Sequence, residues 1–296
     1  MKFESFKDVV KKEVENRVGE NCTVNVKDTA KNNGVILSGL TVKSEDSNIA
    51  PIIYLNDYYQ LYESRYVGLE AIISIILKVY EESNVDHIVD MSQLLNYESI
   101  RKKIVYKLIN SEKNTELLQH VPHITFHDLS IVFQISVSEE PFGDATILIH
   151  NKHLAIWNVS LDTLYEDARN NTPILNRYEI EDIEDVIREL MPTAETVHTP
   201  VPLLVLSNKD KFHGAACILY PDLLRQVSDA IDSSMYIIPS SVHETLLLPA
   251  KKAEEAEYKY IKNIISEVNN TRINEEEILS YSVYFYDRNT DEIIIL

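Results

Sequence analysis

The run Pro239-Ser240-Ser241-Val242-His243-Glu244 gathers hydroxyls, an imidazole and a carboxylate between two apolar segments. Serine, histidine and an acid are the parts of a nucleophilic hydrolase, in which the ring takes the hydroxyl proton and the acid orients the ring. On extended chain Ser241 and His243 share one face while Glu244 points to the other. A Ser241–His243 hydrogen bond is therefore available, and a tight pair between His243 and the adjacent Glu244 is not. The zinc-protease helix pattern would need a second histidine four residues on; that position is Leu247. Ser241, His243 and Glu244 are the catalytic candidates. The competing reading is a bend between strands whose polar groups are satisfied by local hydrogen bonds.

The second candidate is the turn Asn208-Lys209-Asp210-Lys211-Phe212-His213-Gly214. Loops held on rigid hairpins often carry binding residues, which makes Asn208 and His213 the binding candidates. With one glycine the turn is no phosphate-binding loop. Histidines recur at His120, His123, His127, His150 and His153. As alternating strand residues His123 and His127 would share a face, with Asp128 close enough to help hold a metal. Histidines on exposed strands are commoner than ligand sets, so no metal and no cofactor is expected. Tyr58, Tyr62 and Tyr66 form a stripe at helical spacing, but Arg65 is the one basic residue among them, which favours core packing with hydroxyls at the rim over base stacking.

Elements must position these groups. Phe3 to Val18 carries apolar residues at helical spacing. Cys22 to Val26 and Val35 to Val42 read as strands about an Asn32-Asn33-Gly34 turn, and Leu69 to Glu82 as a helix. The composition of Met91 to His120 is helical, with one face of Leu94, Leu95, Ile100, Ile104, Val105, Leu108 and Ile109. Tyr178 to Met191 reads as an acidic helix, Lys251 to Asn269 as another, and Thr193 to Pro202 as a linker-like stretch. Met235 to Ile238, Thr245 to Leu248, and Tyr281 to Leu296 with its turn complete the strands. Strand, Asn-Lys turn, strand, capped helix occurs at Ile147 to Tyr165 and again at Leu204 to Leu224; Val35 to Tyr62 is a looser copy. Hairpin connections predict an α+β fold with mainly antiparallel sheets built from repeated strand-strand-helix units. The expected division is 1–120 and 121–296, or one continuous domain.

Composition sets the outer limits. Forty-five per cent hydrophobic residues in 296 provide for a real core, and the formal net charge of −19 opposes binding to nucleic-acid backbone or anionic lipid. The densest acidic patch is Glu179, Glu181, Asp182, Glu184, Asp185 and Glu189. The apolar run Leu69 to Tyr80 is too short and polar to span a bilayer, and the first residues lack a secretory signal, so a cytoplasmic location is expected. Cys22 and Cys217 are expected to be buried, reduced and apolar in behaviour.

Several blocks together resemble a bacterial family of unknown function: Asn32-Asn33-Gly34, Pro51-Ile52-Ile53-Tyr54-Leu55 with Tyr58-Tyr59, Gly214-Ala215-Ala216 with Leu219-Tyr220-Pro221, and Pro239 to Glu244. The resemblance covers the whole chain and implies a setting in anaerobic Gram-positive bacteria, with an association to mobile elements. Asn151 to Asn170 and Gly214 to Glu244 are also similar to a second uncharacterised bacterial family. Neither resemblance brings an activity. The leading expectation is a binding or regulatory protein without catalysis, with a protein partner favoured over nucleic acid and no membrane contact. One alternative is a hydrolase-like enzyme using His243; another is an acidic decoy of a DNA-handling protein.

Overall fold

The computed structural model describes residues 1–45, 47, 50–83, 94–139, 143–190, 203–239, 241–250 and 273–296. The expected Lys251 to Asn269 helix and Thr193 to Pro202 linker lie outside these residues. The chain divides into two compact units, Met1–Ser92 with Glu139–Gly143, and Gln93–Ser138 with Asp144–Leu296.

In the first unit, α1 (Phe3–Glu15) buries Phe6, Val10 and Val14, one residue per turn on a single stripe. Strands β1 (Cys22–Ala30) and β2 (Ile36–Ser44) pair antiparallel with Cys22 opposite Ser44 and Ala30 opposite Ile36. Asn33 and Gly34 at the turn both have positive φ (61° and 71°), tolerated by glycine because it has no Cβ and by asparagine because its side chain is short and polar. The short β3 (Ile52–Tyr54) adds to β2 and runs into α2 (Leu55–Glu63), and α3 (Leu69–Ser83) follows. Leu40, Ile53, Leu55, Ile72, Ile73 and Ile76 join the α1 stripe in one core. Tyr59 and Tyr62 pack their rings on Phe6, whereas Tyr66 is exposed.

The second unit begins with α4 (Tyr97–Ile100) and β4 (Ile104–Asn110). Then come α5 (Thr115–Leu118), β5 (His123–Phe126), β6 (Leu129–Glu139) and β7 (Gly143–Leu148). These strands form one sheet, with β6 between β4 and β5 and β7 also paired to β6. Here the expected helix from Met91 to His120 is corrected. Residues 104–110 are a strand in which all but Lys107 are buried, paired from Ile104↔Ile135 to Asn110↔Leu129. A strand covered on both faces needs no polar alternation, so its apolar run also fits a helical face.

Next stand α6 (Asn151–Trp157), α7 (Leu161–Leu175), β8 (Tyr178–Asp182), α8 (Ile183–Leu190) and β9 (Leu204–Asn208). A 3₁₀ helix spans Gly214–Leu219, before α9 (Leu223–Ile231). The chain finishes with β10 (Met235–Ile238), β11 (Thr245–Pro249), β12 (Tyr284–Asp287) and β13 (Glu292–Ile295). The six strands of this second sheet run in the order β13-β12-β10-β11-β9-β8, and the pairs are antiparallel. The fold is α+β with antiparallel sheets.

Three further expectations are corrected. The second strands of the Ile147 and Leu204 hairpins are helical: residues 151–157 form α6 and residues 214–219 the 3₁₀ turn. Trp157 decides the first case, because its ring is buried and its indole N–H donates to Leu94 O at 2.8 Å. In the second, Gly214, Ala215 and Ala216 sit buried against β9, with Gly214 so close to Asn208 and His243 backbone that a Cβ would not fit. Tyr178 to Met191 is a strand followed by a helix over its described residues, since Ile180 opposite Leu206 extends the sheet.

Candidate functional site

Strand β9 ends in a tight loop because Asn208 closes it. The buried Asn208 accepts the Phe212 N–H at 3.0 Å and donates through Nδ2 to Phe212 O at 2.8 Å. The amide thus acts as a backbone mimic inside the turn. Lys211 and His213 adopt left-handed backbone (φ 50° and 56°), and His213 precedes the 3₁₀ turn that starts at Gly214. A Cβ on Gly214 would lie 2.5 Å from both Asn208 N and His243 O and closer still to Ser207 Oγ, so only glycine fits between β9 and the 241–244 bend.

That bend is held from three sides. Val242 N–H donates to Glu277 O at 2.8 Å. Ser207 Oγ donates to His243 O at 2.7 Å. Ser241 Oγ accepts the His243 N–H at 2.9 Å, a two-residue hydroxyl-to-backbone turn. Ser241 and His243 therefore do not stand along one extended face, and the buried hydroxyl is engaged with backbone.

Two of the candidates meet here. The His213 N–H donates to His243 Nδ1 at 3.3 Å. The two imidazoles lie parallel, 2° apart in plane with centroids separated by 5.9 Å. Phe212 packs beside both, at 3.9 Å from the His213 ring and 5.8 Å from the His243 ring. His243 Nε2 is 3.6 Å from Glu277 Oε1, and Gln134 Nε2 lies 3.4 Å from His213 Nδ1. An Nδ1 that accepts a backbone N–H belongs to a neutral ring with its proton on Nε2.

Burial, then the nearby Lys107 charge, then His243 hold the His213 ring well below the ordinary imidazole range. Glu244 is half-buried, and desolvation raises its carboxyl above the usual range; Glu277 adds to the rise, while His243 and Lys211 oppose it. Lys211 forms an ion pair with Glu181 at 3.0 Å. Cys217 donates its thiol to Ser207 O at 3.4 Å, and burial pushes that thiol up to about 12, which removes it as a nucleophile at neutral pH.

The sequence pattern pointed to His213, His243 and Glu244, held Phe212 only as a member of the turn, and missed Gln134, Ser207 and Glu277. Gln134 and Glu277 lie far from the loop in sequence, and no local spacing could have marked them. His123 and His127 part company, while His150 and His153 stay together, with centroids 5.7 Å apart. His123 Nδ1 faces Val121 O at 3.1 Å, and His127 turns into left-handed backbone with its ring against Phe126 and Tyr284. Asp128 accepts the hydroxyls of Ser280 (2.7 Å), Ser282 (3.1 Å) and Tyr284. Among the described residues no group of three or more histidine, cysteine or acidic side chains stands close enough to hold a metal. No helix among the described residues is long and apolar enough to cross a membrane.

A protein-family model described as a family of unknown function, DUF5688, matches residues 3–288. No curated protein and no solved structure matches the chain.

Proposed function

We propose that this chain, which belongs to the DUF5688 family of unknown function, is a cytoplasmic binding protein that presents the loop 207–214 to a protein partner. The setting we infer is bacterial, as the sequence resemblance implies. The observation that carries the reading is the 3.3 Å bond from the His213 N–H to His243 Nδ1. That bond uses the ring nitrogen a general base would need, and it turns the histidine into a strut beneath the loop. Above the strut, Phe212 is 40% exposed beside the exposed Lys209, Asp210 and Lys211. An aromatic ring held rigid among charges suits a protein interface, where such anchors carry much of the binding energy.

A hydrolase-like reading has one observation in its favour: His243 Nε2 beside Glu277, with the raised Glu244 next in the chain. The acidic-decoy reading is weaker, because the acidic segment splits between β8 and α8 rather than forming one helical stripe. The test is a thermal-shift screen of the purified chain against metals, nucleotides and common metabolites, run beside a fluorophosphonate probe for reactive serines. The protein-partner reading expects no labelling and no specific thermal-shift hit from these small molecules; a hit that disappears in His243→Ala while the unliganded melting temperature holds would replace it with a small-molecule site. Labelling of Ser241 that disappears in His243→Gln would replace the binding reading with the hydrolase.

A further inference from the structure

One imidazole joins three stretches of chain: the loop 207–214, the bend 241–244 and the 3₁₀ turn Glu275–Glu277. Its two nitrogens do opposite jobs. Nδ1 accepts the His213 N–H, while Nε2 stands 3.6 Å from the Glu277 carboxylate, beyond hydrogen-bond length but well placed for an ion pair. Acceptance at Nδ1 lasts only while that nitrogen carries no proton. A proton there sets two donors against each other and gives the ring a positive charge, which the Glu277 carboxylate is positioned to receive.

We propose that His243 is an acid-responsive latch on the recognition loop: on gaining a proton, its ring leaves the His213 amide, pairs with the Glu277 carboxylate and releases the 212–214 end of the loop. The parallel His213 ring opposes a charge on His243, and Lys107 of β4 acts on His213 itself. Glu277 and Glu244 favour one. Lys211 is occupied by Glu181 of β8. Gln134 of β6 offers a neutral amide to His213. A ring set between a backbone donor and a carboxylate has one partner for its neutral form and another for its charged form. The two Asn208 bonds to Phe212 do not involve His243, so the latch expects the loop to move as a closed turn.

The regulatory meaning rests on the loop being a binding surface. The latch itself is measured without any ligand, so the two ideas fail separately. The experiment follows the His243 ring nitrogens and the His213 amide by nitrogen-15 NMR from about pH 8 to about pH 5, the range in which imidazoles change charge. The latch expects an unprotonated Nδ1 at the upper end. As the ring gains its proton, exchange of the His213 amide, corrected for the intrinsic rate, should accelerate by at least about tenfold, while β4 and β6 amides stay protected. Glu277→Gln leaves no carboxylate to receive the ring, and more acid should then be needed to release the loop. His243→Gln should make the loop's exchange independent of pH in this range. If His243 protonates while the His213 amide stays as protected as before, the latch is wrong. It is equally wrong if Glu277→Gln leaves the pH of release where it was.

Discussion

Glu244 shows how a single residue can carry a measurable pH signature. Burial raises its carboxyl, so the folded protein disfavours the charged form more than the unfolded chain does. The sign follows from linkage: this group's favourable contribution is complete below the unfolded pKa and is lost as pH rises through the raised folded value. Glu244→Gln should therefore raise the melting temperature at neutral pH and leave it nearly unchanged near pH 4, measured by calorimetry on both proteins. A variant destabilised at neutral pH would mean that the ionised carboxylate is held by interactions stronger than its burial. His213 works with the opposite sign. Its lowered folded value means that stability is present above the ordinary imidazole range and declines as acid protonates the unfolded chain preferentially. At this scale much was legible. The His243 and His213 stretches stood out by composition alone, because polar clusters between apolar strands are rare enough to notice. Their hydrogen-bond partners were not legible, since the His213–His243 bond joins residues 30 apart in sequence.

At the scale of elements, β4 and α7 show how helix and strand are joined by a buried polar contact. Tyr106 N–H on β4 donates to Thr172 Oγ1 at 3.1 Å, and the same hydroxyl donates to Ala168 O at 2.6 Å one turn earlier in α7. Thr172 precedes Pro173, whose ring removes one helical N–H. Thr172→Val keeps the shape but strands a buried N–H, and should cost about 1–3 kcal/mol by denaturant titration. A neutral result would show that the N–H finds another acceptor. This contact also explains why β4 escapes a reading from pattern. A strand with apolar residues on both faces gives no clean alternation to detect, and the choice of strand over helix is made by β6 and α7. The β1–β2 hairpin is the opposite case. Its Asn33-Gly34 turn and half-buried strand are local signals, and they agree with the observed register.

For the whole molecule, the formal charge of −19 dominates. Carboxylates outnumber cations over the surface, and their mutual repulsion acts against the compact state. Raising the ionic strength from about 0.01 M to about 0.15 M shortens the screening length from about 30 Å to about 8 Å. The melting temperature should therefore rise with salt and then level off. A fall would mean that exposed ion pairs, such as Arg17 with Glu70 and Arg288 with Asp229 and Asp232, outweigh the general repulsion. By itself the sequence determined what depends on neighbours along the chain: the amphipathic stripe of α1, the turn between β1 and β2, the strands β10 and β11, the closing hairpin of β12 and β13, and the acidity. Each follows from spacing or composition within a few residues. Tertiary structure alone decided that residues 104–110 are a covered strand, that residues 214–219 coil into a 3₁₀ turn, and that His243 sits between the His213 amide and Glu277. Those outcomes turn on burial and on hydrogen bonds between distant segments, and neither exists until the sheets have assembled.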